Sequence, residues 1–189
     1  MTVELIRTFI AIELPDGVKT QVDTLETQLK RAKADINWVP PGNIHLTLKF
    51  LGDTPEDRLT DVREGVSEAV ASLLSFDVAL GTIGAFPNLD RPRVIWIDVQ
   101  GGRADLMVLQ HRIESALLKR QFVREERPFL PHLTIGRVRT PQGVGALANQ
   151  IRQCPFQTAP IPVSQVAIIK SELRQQGPLY TVLDHISLV

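Results

Sequence analysis

An internal repeat is the feature that most constrains the fold of this chain. The stretches NIHLTLKFLGD at 43–53 and PHLTIGRVR at 131–139 share a His-Leu-Thr core, although the chain has only four histidines. A spacing of 87 residues separates His45 from His132, and shifting the whole sequence by 87 places each predicted element on one of the same type. Two such units are expected to fold as two pseudo-symmetric lobes, because they carry the same hydrophobic pattern.

Hydrophobic periodicity predicts an α+β protein. The predicted strands are 7–14, 43–51, 76–84, 93–99, 132–138, 162–171 and 179–188, and the predicted helices are 15–34, 55–74, 103–121 and 142–153. Thr54 and Pro55 are the expected start of the second helix. We therefore expect one bilobal domain over 1–189, with units at about 7–90 and 91–189. Each lobe would be a mainly antiparallel sheet with helices on its outer face, and a groove would lie between them.

Alternation along each motif strand separates two faces. The apolar face, which must pack on the helices, carries Leu46, Leu48 and Phe50 in the first strand and Leu133 and Ile135 in the second. The opposite face carries His45, Thr47, Lys49, His132 and Thr134. The symmetry then directs both histidines and both threonines toward the central groove.

Two histidines facing one groove suit acid–base chemistry on a phosphodiester. One imidazole can accept a proton from water while the other, protonated, donates to the leaving oxygen. The hydroxyls of Thr47 and Thr134 can donate to the non-bridging oxygens, and Arg137 can add a charge-assisted contact. Strict alternation turns Arg137 toward the helices, so its role requires a β-bulge at Gly136, which the structure can test.

Composition excludes several other classes of protein. A net charge of zero argues against a broad surface for duplex nucleic acid, although there is a local basic patch: Lys119, Arg120, Arg124, Arg127, Arg137 and Arg139. The single Cys154 rules out an intrachain disulfide, and the sequence has no leader and no long apolar segment. We expect a cytoplasmic protein without a membrane partner.

The histidines do not have the spacing of a metal site. The sequence contains no Cys pair, no HExxH and no DxD cluster, so neither a metal nor another cofactor is expected. The other two histidines, His111 and His185, are interpreted as structural.

The two motifs His45-Leu46-Thr47-Leu48 and His132-Leu133-Thr134-Ile135 resemble those of the 2H phosphoesterase superfamily. Within it, the chain is similar to the RNA 2′,3′-cyclic phosphodiesterases, also called 2′–5′ RNA ligases. RTFIAIELP resembles the opening strand of that family and SELRQQGPLYTVL its closing segment. The resemblance implies a bilobal fold and metal-free hydrolysis of a terminal 2′,3′-cyclic phosphate on RNA to a 2′-phosphate.

The resemblance also implies a role for each site residue. His45 would protonate the leaving 3′ oxygen and His132 would activate water, although the residues alone leave these two roles interchangeable. Thr47 and Thr134 would hold the phosphate with help from Arg137. Phe50 would lie beside the terminal nucleobase, against its predicted place in the core, and Tyr180 would reach the groove from the closing segment.

Three alternative functions would use the same groove. The substrate could be a small cyclic-phosphate nucleotide or a 2′–5′ oligonucleotide, or the reaction could run in reverse as 2′–5′ ligation of RNA ends. A non-catalytic module that binds nucleotides or RNA ends would need no matched acid and base. Because the chain carries both motifs itself, we expect a monomer that binds RNA 3′ ends or nucleotides bearing a 2′,3′-cyclic phosphate.

Overall fold

The computed structural model describes residues 4–175 and 177–189 and confirms an α+β fold built on two antiparallel sheets. Gln176, in the closing segment, lies outside the described residues. The first sheet has the order β3-β1-β8-β9, with β1 Leu5–Glu13, β3 His45–Pro55, β8 Gln165–Arg174 and β9 Gly177–Ser187. The second sheet has the order β2-β6-β5-β4-β7, with β2 Ile36–Trp38, β4 Phe76–Phe86, β5 Val94–Gly101, β6 His132–Val138 and β7 Ile161–Val163.

The two sheets do not coincide with the two repeat units. The last strand of the first unit, β4, pairs with β5 in the second sheet, whereas β8 pairs with β1 in the first sheet. Each sheet therefore takes strands from both halves of the sequence. Backbone hydrogen bonds between these strands therefore link the two halves of the sequence, in addition to the covalent chain.

Four α-helices lie within the described residues: α1 Asp16–Leu29, α2 Leu59–Val70, α3 Arg103–Lys119 and α4 Val144–Gln153. Their apolar residues recur at three- and four-residue spacing and are buried, as with Val18, Val22, Leu25 and Leu29 of α1. None of these helices has the length and apolar character that a membrane span requires. The core lies between the helices and the apolar faces of the sheets.

The predicted start of the second helix is wrong. Thr54 and Pro55 remain in β3, where they pair with Ile6 and Leu5 of β1, and the Thr54 hydroxyl donates to the Gly52 carbonyl at 3.3 Å. Continued strand pairing outweighs the local capping signal, and α2 begins only at Leu59. The predicted strand 162–171 is two strands, because the chain passes from β7 in one sheet to β8 in the other.

Candidate active site

The two motif strands lie beside each other where the sheets meet. Strand β3 forms one edge of the first sheet, β6 lies next to the edge of the second, and Cα atoms of the two strands approach within 8 Å. His45 and His132 are the first residues of their strands, and both are half-buried. The predicted pair of histidines thus lies on two strands that contact each other.

Both histidines make the same hydrogen bond. The Nδ1 atom of His45 lies 2.8 Å from the carbonyl oxygen of Asn43, and Nδ1 of His132 lies 2.6 Å from that of Leu130. A carbonyl oxygen only accepts, so Nδ1 carries the proton in each ring. This leaves Nε2 of each imidazole available to exchange a proton with a ligand.

A β-bulge occurs at the last residue of each motif. In the first strand, the neighbouring residues Ile10 and Ala11 of β1 pair with Lys49 and Thr47, so Leu48 is the additional residue. In the second, Ile95 and Trp96 of β5 pair with Gly136 and Thr134, which makes Ile135 the additional residue. The bulge expected at Gly136 therefore exists one residue earlier, and it turns Arg137 to the same face as Thr134.

The bulge at Leu48 overturns the predicted faces for the two residues that follow it. Phe50 is not in the core: it is 61% exposed and lies opposite Phe9, with the two ring centroids 5.8 Å apart. Lys49 is not on the groove face: it is 5% exposed, and its Nζ atom lies 2.7 Å from Oε1 of Glu114. Simple alternation failed because the additional residue reverses the faces of the two side chains that follow it.

Aromatic rings surround His45. The Phe9 ring centroid lies 4.6 Å from the imidazole and that of Tyr180 5.3 Å from it. Burial lowers the pKa of His45, while the hydrogen bond to Asn43 and the charge of Glu13 oppose that effect. Burial also raises the pKa of the Tyr180 phenol, which stays a hydrogen-bond donor at neutral pH.

His132 has a corresponding but different environment. Phe86 contacts it edge-on with centroids 5.1 Å apart, and Trp96 lies 6.5 Å away. Asp98 stands opposite His132 in the β5–β6 register and forms an ion pair with Arg103 at 2.8 Å. Trp96 stands 87 residues after Phe9, so the spacing of the internal repeat could have identified Trp96 as a residue of the site.

Among the described residues, no protein partner is found for the polar side-chain groups of Thr47, Thr134 and Arg137. Thr47 and Thr134 are half-buried, and their hydroxyls make no hydrogen bond within the part of the chain that the structure describes. Arg137 is exposed, and no carboxylate of residues 4–175 or 177–189 lies within 4 Å of it. Burial raises the pKa of Tyr180, and the charges of Arg137 and of Arg7, which sequence reasoning missed, lie near enough to the phenol to oppose that rise.

The two histidines interpreted as structural lie in different places. His111 is exposed on α3. His185 pairs with Ala167 on the groove face of the first sheet, and its Nε2 atom lies 2.5 Å from Oε2 of Glu13. No sequence signal joins Glu13 to His185, because 172 residues separate them.

The basic patch is partly neutralised. Lys119 and Arg120 form ion pairs with Glu68, and Arg139 forms one with Asp35. Arg124 and Arg127 are exposed in the segment that leads to β6. Within the described ranges, no group of three or more His, Cys, Asp or Glu side chains is arranged to hold a metal ion.

Comparison with known proteins identifies relatives along almost the whole chain. A family model described as the 2′-5′ RNA ligase superfamily matches residues 14–175. The chain is 33% identical over 180 residues to the RNA 2′,3′-cyclic phosphodiesterase of Methanothermobacter thermautotrophicus, covering 95% of this chain and 97% of that relative. It is 34% identical over 178 residues to the enzyme of the same name from Thermotoga maritima, covering 94% and 92%.

Solved structures share the fold. A protein of Thermus thermophilus superposes with a TM-score of 0.78 at 28% identity, covering 97% of this chain and 98% of that one. Escherichia coli LigT, solved in a complex with 3′-AMP, gives a TM-score of 0.77 at 22% identity, with 98% and 99% covered.

Proposed function

Since the chain belongs to the 2′–5′ RNA ligase superfamily, we propose that this RNA 2′,3′-cyclic phosphodiesterase forms a 2′-phosphate by metal-independent catalysis with His45 and His132. The observation that carries the proposal is the matched hydrogen bonding of the two imidazoles. Each ring is held through Nδ1 by a carbonyl two residues earlier, which leaves Nε2 as the reactive nitrogen. A pair of side chains that only bound phosphate would have no need of this fixed tautomer.

In the proposed reaction, Nε2 of His132 takes a proton from water as the water oxygen attacks phosphorus. The bond between phosphorus and the 3′ oxygen breaks, and protonated Nε2 of His45 gives its proton to that oxygen. The products are a 2′-phosphate and a 3′-hydroxyl. His132 ends protonated and His45 neutral, and exchange with solvent restores the starting forms.

The hydrogen-bond donors of the groove suit the charge of the reacting phosphate. Thr47 and Thr134 each lie two residues beyond a motif histidine on the same face, with hydroxyls that have no protein acceptor among the described residues. The Arg137 guanidinium, on that face because of the bulge, would contact a non-bridging oxygen. Donors fixed in advance stabilise the negative charge that grows during attack.

The lowered pKa of His45 is consistent with acid catalysis once the substrate is bound. Burial disfavours the imidazolium in the free protein, but an anionic phosphate beside the ring favours it. We therefore expect the alkaline limb of kcat to lie at higher pH than the alkaline limb of kcat/KM, because the first reports the complex and the second the free enzyme.

The RNA end is the proposed substrate because the groove offers surfaces beyond the phosphate. Phe50 presents an exposed ring suited to stacking on the terminal nucleobase, and Arg7 and Tyr180 lie on the same side of the first sheet. Reverse ligation would use the same two histidines. Water competes with any second RNA end, so we expect hydrolysis to dominate.

The test is a short RNA ending in a 2′,3′-cyclic phosphate, incubated with the protein in EDTA and followed by phosphorus NMR. A 2′-phosphate that forms with the wild type and fails to form with His45→Ala or His132→Ala supports the proposal. A 3′-phosphate would mean that the other ester bond breaks and would contradict the assigned leaving group. Loss of activity in EDTA that a divalent ion restores would contradict metal independence.

The same assay separates the alternatives. Faster turnover of a mononucleotide 2′,3′-cyclic phosphate than of the oligonucleotide would favour a small-molecule substrate. Cleavage of a 2′–5′ linked dinucleotide at a comparable rate would favour the oligonucleotide alternative. Binding of the RNA without any product would identify a binding module.

A further inference from the structure

A carboxylate and an imidazole form a pair beside His45. Glu13 stands directly opposite His45 in the β1–β3 register, and Nε2 of His185 lies 2.5 Å from its Oε2 atom. The intervening strand β8 presents Ala167 opposite His185, and this small side chain leaves room for the contact. The side chains of His185 and Glu13 are 43% and 39% exposed, so solvent reaches both.

The charge of Glu13 acts against the burial of His45. Burial lowers the pKa of His45, and the neighbouring carboxylate raises it. When His185 is protonated, its positive charge offsets the carboxylate and weakens this support. When His185 is neutral, the full negative charge of Glu13 acts on His45.

Other titratable or charged groups belong to the strands around His45. Tyr180 contacts the ring from β9, and His132 and Arg137 belong to β6 across the groove. Arg7, two residues before Phe9 on β1, lies near Tyr180. Glu13 is the charged group that raises the pKa of His45.

We propose that Glu13 is a positioning residue that favours the protonated form of His45, and that His185 regulates this effect by compensating the Glu13 charge. The inference rests on the proposed function, since a general acid must carry a proton when the substrate arrives. The second lobe differs on this point. Asp98, opposite His132, is paired with Arg103, whose guanidinium keeps its charge, so no titrating cation sets that compensation.

Two variants test the pair, because they should act in opposite directions. In Glu13→Gln the loss of negative charge lowers the midpoint of the His45 titration followed by NMR. The alkaline limb of kcat/KM then moves to lower pH, with a loss of about threefold on that side, the size expected for a half-exposed pair. In His185→Gln the uncompensated carboxylate moves both the midpoint and the limb to higher pH. Glu64→Gln, on the exposed face of α2, changes the net charge alone and should move neither.

The NMR midpoint needs no turnover, so it separates this inference from the proposed function. Opposite shifts in the two variants, followed by the alkaline limb, support the inference. Unchanged midpoints, or shifts in the same direction, overturn it, because a structural disturbance would act alike in both variants. Opposite midpoint shifts accompanied by movement of the acidic limb would support the coupling and overturn the assignment of His45 as the acid.

Discussion

The two motif strands have nearly the same backbone and very different surroundings. Each begins with a histidine whose Nδ1 donates to the carbonyl two residues earlier, and each has a bulge three residues after that histidine. After the bulge they diverge. Strand β3 continues with a buried Lys49 and an exposed Phe50, whereas β6 continues with a buried Gly136 and an exposed Arg137.

If the two histidines act as acid and base as proposed, this difference indicates which residues assign the two roles. In the proposed function, the repeated motif supplies two equivalent imidazoles to one groove, and it gives neither of them a role. The roles are expected to come from residues outside the motif: Phe9, Tyr180 and Glu13 around His45, and Phe86, Trp96 and Asp98 around His132. Different neighbouring residues can make one of two equivalent histidines an acid and the other a base, because those residues shift the pKa of each imidazole differently.

The sharpest test of this division changes the leaving group. With an ordinary RNA cyclic phosphate, His45→Ala and His132→Ala should each lower kcat by about 10² to 10⁴. With sulfur in place of the 3′ oxygen, the leaving group departs as a thiolate without protonation. The loss in His45→Ala should then fall below about tenfold, while His132→Ala remains impaired.

The exposed His111→Ala is the matched control and should retain wild-type rates on both substrates. If the sulfur substrate rescued His132→Ala and not His45→Ala, the two roles would be reversed. Equal rescue of both variants would mean that the lobes are not divided into acid and base.

The second difference between the strands is the ion pair that follows the first bulge. Lys49 donates to Glu114 at 2.7 Å and to the Val123 carbonyl at 2.8 Å, and the Glu125 amide donates to Glu114 at 3.0 Å. Glu114→Gln leaves the Lys49 charge buried without its partner. We expect the free energy of unfolding, measured in urea, to fall by about 3 kcal/mol.

The double variant Lys49→Met with Glu114→Leu removes both charges and should recover most of that loss. A double variant as unstable as Glu114→Gln would show that the charge pair is not the cause. In β6 the corresponding position needs no such pair, because a Cβ on Gly136 would lie 2.8 Å from Cγ2 of Ile36 and 3.2 Å from Cε3 of Trp38. Neighbouring side chains already fill that space.

Most of the fold could be predicted from the sequence, because helices and long strands follow local periodicity. The errors lie where tertiary pairing overrides a local signal, as at Thr54, which stays in β3 instead of capping α2. The three-residue strand β2 is too short to produce a pattern. The exchange of β4 and β8 between sheets is a property of topology that periodicity does not encode.

The motif residues could also be predicted, whereas their surroundings could not. The frame shared by His45 and His132 is a sequence pattern, and so is the position of Trp96 relative to Phe9. The contact between Glu13 and His185 depends on two sheet registers and leaves no trace in either segment. Alternation gave Phe50 and Lys49 the wrong faces, because it does not reveal where a strand has an additional residue.

The exposed residues after the bulges should affect different kinetic constants. Arg137→Ala removes a charge-assisted contact to the phosphate and should lower kcat by roughly tenfold or more. Phe50→Ala removes a stacking surface and should raise KM by about tenfold with little change in kcat. A substrate whose terminal nucleotide lacks its base is the control: it should bind less tightly to the wild type, and Phe50→Ala should weaken it no further. An equal effect of Phe50→Ala on both substrates would contradict stacking.

The last difference between the two lobes lies in the helices that cover them. Glu26 of α1 occupies the position that Ile113 occupies in α3, and the two residues are 1% and 0% exposed. Burial raises the pKa of Glu26 from its usual 4.5 to about 7, with the Lys30 ammonium opposing the shift. Between these two values the folded protein holds a proton that the unfolded chain has released. The free energy of unfolding should therefore decrease as the pH rises from about 4.5 to about 7 and then stay level.

Replacing the carboxyl group should remove this decrease and make the two lobes more alike. Relative to the wild type, Glu26→Gln should gain about 3 kcal/mol between pH 4.5 and pH 8, measured by urea denaturation at both values. Glu64→Gln, whose side chain is exposed, should follow the wild type at both pH values. If the difference between Glu26→Gln and the wild type were the same at both pH values, the buried carboxyl would not be the group that titrates. The buried carboxyl of Glu26 would then not make the free energy of unfolding depend on pH.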